Sequence, residues 1–328
     1  MKLLWRTDVH LSDHTPRSRT DNWRKAVIDK LVQVGDIART IGAVGVIDGG
    51  DFFDVKSPSR NSHDLIREVA DIHASYPCPV YGNVGNHDCV YGDIDYLHQQ
   101  PLGVLFSTGV FNRLYDEHEA NFRVDTEGPD VDINPLVRVV GIPYHGTKYN
   151  MDRFKLTKGS ETYLVAAAHV LASPKGGSMF ENEDIVKYED LTKLAPDVDV
   201  WLFGHWHRDQ GVTEIAPGKW VVNVGSLSRG ALIQDDLDRK PCAVELDFKP
   251  KGITITRHNL KLPEVDDVFD LDGRQKAEMR ETVMEDFVTS LTKSLGTEDD
   301  AASLDDVVRG STVPEAVRER ALSYLERA

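Results

Sequence analysis

The sequence predicts an α/β (α+β) domain of layered sheets followed by a small helical C-terminal extension. Three observations carry this expectation. Short apolar runs alternate with helical apolar patterns over the first two-thirds of the 328 residues. The stretch that follows, up to residue 262, reads as β-rich. Near Pro263 the texture turns acidic and helical. The organisation expected is a main domain over residues 1–262 and an extension over residues 263–328.

Taken in order, Leu3-Leu4-Trp5 opens as a buried strand. Trp23, Val27, Leu31 and Val34 then share one helix face, at spacings of four, four and three. Residues 44–47 give the second strand, and a helix follows around Leu65, Val69 and Ile72. Val80-Tyr81 starts the third strand, residues 137–142 the fourth, 163–168 the fifth and 200–203 the sixth. Residues 220–222, 243–248 and 253–255 complete the β-rich part. In the extension, Val283, Phe287, Leu291 and Leu295 repeat at period four. Residues 296–300 read as a polar loop. Thr312 and Glu315 form a capping box for the last helix, with Pro314 tolerated in its first turn.

Composition narrows the function classes. Apolar residues make up 40%, with 11 Phe, 10 Tyr and 5 Trp, enough for a sizeable core and too many for wholesale disorder. No run approaches ~20 uninterrupted apolar residues, so no membrane span is expected. Arg6 and Asp8 interrupt the N-terminus before a signal-peptide core could form. Three cysteines, Cys78, Cys89 and Cys242, suit a reducing cytoplasm. A net charge of −16 argues by itself against nonspecific nucleic-acid binding. The charge is uneven, however: residues 263–328 hold 17 acidic and 8 basic side chains, net −9. Several acids elsewhere are candidate metal ligands, so the total says little about the field at a site.

Metal-competent residues recur just after the expected strands. Asp8 and His10 follow the first, Gly50-Asp51-Phe52-Phe53-Asp54 the second and Gly85-Asn86-His87-Asp88 the third. His169 closes the fifth, and Gly204-His205-Trp206-His207 the sixth. Strand carboxyl ends are where an α/β scaffold presents ligands to a common crevice. Mixed carboxylate, amide and imidazole donors suit Mn²⁺, Fe²⁺ or Zn²⁺ better than Ca²⁺. Each motif alone has a plainer reading: an accidental Asp-x-His, a Gly-Asn turn, surface histidines beside a packed Trp206. All five in order, each after an apolar run, make those readings improbable together.

These motifs resemble the calcineurin-like metallophosphoesterase superfamily, whose pattern is D-x-H, G-D-x-x-[DH], G-N-H-[DE], a lone H, then G-H-x-H. The resemblance implies a layered β-sandwich flanked by helices, with residues 1–262 as the catalytic domain. It implies two divalent ions, Mn²⁺ first, with Fe²⁺, Zn²⁺ or Mg²⁺ as alternatives. One ion would take Asp8, His10, Asp51 and His207, the other Asp51, Asn86, His169 and His205, with Asp51 bridging. His87 matches the family's catalytic histidine, which contacts the scissile phosphate and protonates the leaving oxygen. Within the superfamily, residues 50–60, 139–149, 169–177 and 224–230 are similar to SbcD-type DNA repair exonucleases of phage and prophage. That similarity implies a nuclease acting on DNA with an SbcC-type coiled-coil ATPase; a homodimer is a further assembly it leaves open. The other readings are a phosphodiesterase or phosphatase for a small nucleotide, and a non-catalytic scaffold subunit that docks DNA or the ATPase.

Asp54 stands where archaeal and eukaryotic relatives carry a histidine. It either orients His87 or another ligand imidazole, making it part of the catalytic apparatus, or acts as a helix N-terminal carboxylate. Arg60, His145, Lys148, Lys175 and Arg229 are candidate phosphate contacts, each with the alternative of a loop brace or a solvated charge. Cys89 reads as a buried small residue. The last helix, with Val317, Ala321 and Tyr324 on one face, is expected either to dock the ATPase or to pack on the protein itself.

Overall fold

The computed structural model describes residues 1–54, 61–89, 93–123, 136–175 and 183–271, together with Val308, Gly310 and Arg318. The helices expected around Val283 and after Thr312 lie outside the described residues. The chain divides into two compact units, Met1–Val268 and Phe269–Ala328, and everything that follows concerns the first.

In chain order its strands and α-helices are β1 (Lys2–Arg6), α1 (Trp23–Ile41), β2 (Gly45–Asp48), α2 (His63–Ala74), β3 (Val80–Gly82), α3 (Pro101–Ser107), β4 (Phe111–Arg113), β5 (Glu119–Phe122) and β6 (Val137–Ile142). Then come β7 (Tyr163–His169), β8 (Ala172–Ser173), β9 (Val186–Lys187), α4 (Tyr188–Leu194), β10 (Val200–Gly204), β11 (Asp209–Ala216), β12 (Lys219–Val224), α5 (Gln234–Asp238), β13 (Cys242–Lys249), β14 (Gly252–Asn259) and α6 (Val265–Val268). Two six-stranded mixed sheets form, in the orders β14-β13-β1-β2-β3-β4 and β11-β12-β10-β7-β6-β5. In the first, β1 to β4 run parallel; in the second, β6, β7, β10 and β12 do. This is the mixed α/β architecture of sheets flanked by helices that the sequence predicts.

The period-two alternation of strand side chains builds the layers. Leu3 and Trp5 of β1 join Val165, Ala167, Leu202 and Val244 in a cluster drawn from both sheets. Leu4, between them, turns the other way to Trp23, Val27 and Leu31 of α1. In β10, Val200 and Leu202 face the shared cluster, and Trp201 and Phe203 face the α4 side with Leu191. Asn83, fully buried after β3, donates Nδ2–H to Ile142 O and Ala167 O at 3.0 Å each, tying the two sheets together at their carboxyl ends. Helix α1 starts where Asn22 Oδ1 accepts Lys25 N–H at 3.0 Å and stops at Gly42, whose φ of 68° is open to glycine.

Strands β4, β5 and β11 and helices α3 and α4 are not among the elements read from the sequence. The three strands lie at or next to sheet edges, where pairing is one-sided. β4 buries one side chain of its three, and β11 buries none, so no apolar run marks them. Among the described residues no helix is long and apolar enough to cross a membrane.

Candidate metal centre

The parallel strands deliver the polar motifs to one rim. Asp8 and His10 follow β1, Asp51 follows β2, Asn86 and His87 follow β3, His169 ends β7, and His205 and His207 follow β10. The backbone there is strained. Of the five described non-glycine residues with positive φ, four are ligand candidates: Asp8 (52°), His10 (49°), Asp51 (52°) and His205 (86°). Such conformations cost of order 1–3 kcal/mol each and persist where surrounding bonds over-determine them. Here Asp8 N–H donates to Gly50 O at 3.1 Å and His10 N–H to Asp51 O at 3.0 Å. Gly85 is required by a close approach: a Cβ on it would stand 2.0 Å from Asp51 Oδ1.

Among the described residues three groups bring their ligand atoms within 4.8 Å of one another: Asp8–His10–Asp51–His207, Asp51–His169–His205, and His10–Asp54–His87, the last without Asp51. Asp51 belongs to the first two clusters. Four buried polar atoms at this spot, His10 Nε2, Asp51 Oδ2, Asn86 Oδ1 and His169 Nε2, have no hydrogen-bond partner. Asp51 Oδ2 lies 3.2 Å from His169 Nε2 and 3.7 Å from His10 Nε2. A buried polar atom without a partner costs about 1–3 kcal/mol, so the two imidazole nitrogens gathered on Asp51 Oδ2 point to a cation that satisfies them together. The donor set of carboxylate, amide and imidazole fits divalent metal ions.

The remaining atoms of these side chains are already committed, which aims the orphaned ones inward. His10 Nδ1 is 3.2 Å from Asp54 Oδ1, and His169 Nδ1–H donates to Gly49 O at 2.8 Å. Asp51 Oδ1 accepts His87 N–H at 2.7 Å, which turns Oδ2 towards both clusters. Asp8 accepts Thr7 Oγ1–H on Oδ2 at 2.6 Å and His205 N–H on Oδ1 at 3.0 Å. Asp54 therefore directs its carboxylate to His10, whereas His87 Nδ1–H donates to the Asp54 backbone carbonyl at 2.8 Å.

Charge keeps the site ionised. Burial works to raise Asp8 and Asp51, yet the neighbouring His10 imidazole for the one and the His169 charge for the other hold both below the usual carboxylate range. Burial works to lower His10, but the hydrogen bond with Asp54 and the nearby Asp8 and Asp51 carboxylates raise it to about 10. His169 is likewise raised against burial to about 9, by the Asp51 charge.

Sequence reasoning missed three supports. Asp88 accepts N–H bonds from Asp51 (2.7 Å), Phe52 (3.1 Å), Phe53 (3.3 Å) and Gly85 (2.9 Å), clamping one motif to the other. Its signal was present, as the acidic end of Gly-Asn-His-Asp. Thr7 and Glu183, which touch Asp8 and His205, carried none.

Of the five candidate phosphate contacts, the four described ones are engaged or exposed away from the clusters. Arg229 is 4% exposed and donates to Pro263 O at 3.3 Å. Lys148 pairs with Asp184 at 2.8 Å. His145 sits between Pro143 O at 2.8 Å and Asn150 N at 3.1 Å, a loop brace. Lys175 is exposed, and Arg60 lies outside the described residues. The four described ones are absent from the walls of the cleft above the clusters, a space of about 900 Å³ lined by His87, Trp206, Arg208, Ile233 and Asp235 among others.

Residues 1–209 match the family model described as calcineurin-like phosphoesterase. The chain belongs to this family. Among solved structures, a dimetal phosphatase from Danio rerio is similar at a TM-score of 0.49 and 11% identity, covering 79% of this chain and 96% of that one. A Thermus thermophilus protein, TT1561, is similar at 0.45 and 11%, covering 79% and 99%. No curated protein matches the chain. The calcineurin-like phosphoesterase described here is thus a metal-dependent phosphoester hydrolase, its Asp and His clusters the divalent-metal site.

Proposed function

We propose that this phosphoesterase is a two-metal DNA phosphodiesterase that works as the nuclease subunit of an SbcC-type ATPase. The observation that carries the two-metal part is the convergence of orphaned ligand atoms on Asp51 Oδ2. One ion takes Asp8, His10, Asp51 and His207, and the other Asp51, Asn86, His169 and His205. Such a pair, when bound, would supply Lewis-acid charge stabilisation and a nucleophile at neutral pH. The protein's own part is to hold the ligands rigid and to place His87. That side chain is 35% exposed and lines the cleft. With Nδ1–H held by Asp54 O, Nε2 is the ring nitrogen that meets substrate and hands a proton to the leaving oxygen. Asp54 acts through His10, as an orienting carboxylate. Mn²⁺ is the ion we assign.

The DNA assignment is supported by the similarity of residues 50–60, 139–149, 169–177 and 224–230 to SbcD-type nucleases, and by a cleft that extends past the metal ligands to Trp206 and Ile233. Asp209, Asp235 and Asp238 in the same wall favour a second reading, a phosphodiesterase for a small nucleotide, because they repel a long polyanion. Mn²⁺-dependent cleavage of linear duplex DNA, assayed beside bis-p-nitrophenyl phosphate, decides. Cleavage of both supports the nuclease; robust small-nucleotide hydrolysis without DNA cleavage moves the protein to the second reading. Turnover of neither makes it a scaffold subunit. Co-purification with a coiled-coil ATPase, lost on deletion of residues 311–328 while bis-p-nitrophenyl phosphate hydrolysis persists, tests the partnership.

A further inference from the structure

Glu183 lies outside the ligand set, yet it bonds to one of its members. Its Oε1 is 3.0 Å from His205 Nε2 and also accepts Tyr149 O–H at 2.9 Å. The Tyr149 oxygen in turn accepts Leu171 N–H at 2.9 Å, just beyond His169. The Glu183 and His205 side chains are each 13% exposed, and Tyr149 is buried. The chain from Leu171 through Tyr149 and Glu183 to His205 is therefore shielded and braced at both ends, where a hydrogen bond is worth more than at an open surface.

The bond has a consequence for the imidazole. A ring nitrogen whose proton points at a carboxylate has no lone pair for a cation, so Nδ1 is the only nitrogen His205 can offer. His10 and His169 are held the other way round. Their Nδ1 atoms are engaged by Asp54 Oδ1 and Gly49 O, and their Nε2 atoms are orphaned. All three imidazoles thus have one nitrogen tied to a protein acceptor, and for His205 that acceptor is Glu183. His205 has a φ of 86°, a conformation that persists where surrounding bonds over-determine it, and Glu183 supplies one of those bonds.

We propose that Glu183, braced by Tyr149, is a positioning residue for the second ion: it fixes the His205 ring so that Nδ1 joins Asp51 and His169. The inference rests on the two-ion reading. It is tested on the full chain by calorimetric titration of metal-free protein with Mn²⁺, and by NMR of cadmium-loaded protein carrying nitrogen-labelled histidine. Glu183→Ala is expected to weaken the second equivalent by about 10–100-fold and to leave the first unchanged. Glu183→Gln, whose amide oxygen accepts the same N–H, recovers most of the loss, and Tyr149→Phe falls between. In the unmutated protein the cadmium–nitrogen coupling of His205 is expected at Nδ1, a readout that needs no variant to fold. Wild-type affinity for both equivalents in Glu183→Ala, failure of Glu183→Gln to recover, or coupling at Nε2 overturns the inference. Unmutated protein that binds a single ion overturns the two-ion reading, and this inference with it, before any variant is compared.

Discussion

Replacing Asp51 by Asn keeps the side chain's size and removes the one charge shared by both clusters. Asp51→Asn is expected to lose ion binding at both clusters together with phosphoester hydrolysis, as read by elemental analysis and bis-p-nitrophenyl phosphate turnover. His87 behaves differently, because its ring is tied to Asp54 O and lies outside both clusters that contain Asp51 and the other ligands. His87→Ala should retain its metal and lose ~10²-fold or more in turnover; loss of the metal as well would make His87 structural. The histidine ligands also set a pH dependence. In metal-free protein His10 and His169 are raised to about 10 and about 9, so at neutral pH both carry the protons that a cation must displace. Apparent Mn²⁺ affinity is therefore expected to fall as pH falls from 9 towards 6, by about tenfold per pH unit for each proton released. Calorimetry in buffers of different ionisation enthalpy counts those protons, and a count of zero contradicts the assignment. The residues gathered at the rim were legible because each is a metal donor placed directly after an apolar run, in three of the motifs beside a glycine. Thr7 and Glu183 were not, because a lone hydroxyl or carboxylate far away in sequence gives no local sign of what it touches.

The elements hold the site through two devices that act behind the ligands. The first is the close approach of Gly85 to Asp51. Gly85→Ala puts a methyl within 2.5 Å of the Asp51 backbone nitrogen as well as against Oδ1. It is expected to cost metal affinity with the fold retained, seen as a lowered ion stoichiometry beside an unchanged far-ultraviolet spectrum. The second is a buried network at the end of β1. Arg6 donates to Asp48 at 2.7 Å and to Tyr76 OH at 3.0 Å, and its NH2 group lies 2.8 Å from His73 Nε2. His73 Nδ1–H donates to Val69 O at 2.7 Å, so Nε2 is the acceptor and the ring is neutral. Burial first, and then the Arg6 charge, hold His73 well below its ordinary value. Below about pH 6.5 the unfolded chain takes up a proton that folded His73 refuses, so stability falls with pH by up to about 1.4 kcal/mol per unit. Urea unfolding at pH 7.5 and 5.5 should show the loss, and His73→Gln should remove that part of the slope; an identical slope in the variant contradicts it. The central strands and both long helices were legible from period. The edge strands β4 and β11 were not, since part-exposed faces leave no alternation to read, and β5 was not because its alternation spans only four residues.

Over the whole molecule, the net charge of −16 and the acidic residues of the cleft wall set the terms on which a polyanion could bind. If DNA is the substrate, its affinity is local to the ions and to a few basic side chains. Cleavage of duplex DNA should then decline with added salt far more steeply than hydrolysis of bis-p-nitrophenyl phosphate, because only the long phosphate chain releases counterions on binding. Equal salt dependence would argue for a small substrate. The layered architecture was legible at this scale from the alternation of runs, and from motifs that make sense only at one sheet rim. The site's bracing was not, because it joins residues as distant as Asp8 with His205 and Gly49 with His169. The central claim is that the two clusters around Asp51 hold two ions and that both are needed for phosphoester hydrolysis. The most direct test is to titrate metal-free protein with Mn²⁺ while following bis-p-nitrophenyl phosphate turnover in the same samples. Two equivalents bound per chain, with turnover rising as the second is taken up, is the predicted result; full turnover with one equivalent or none would contradict it.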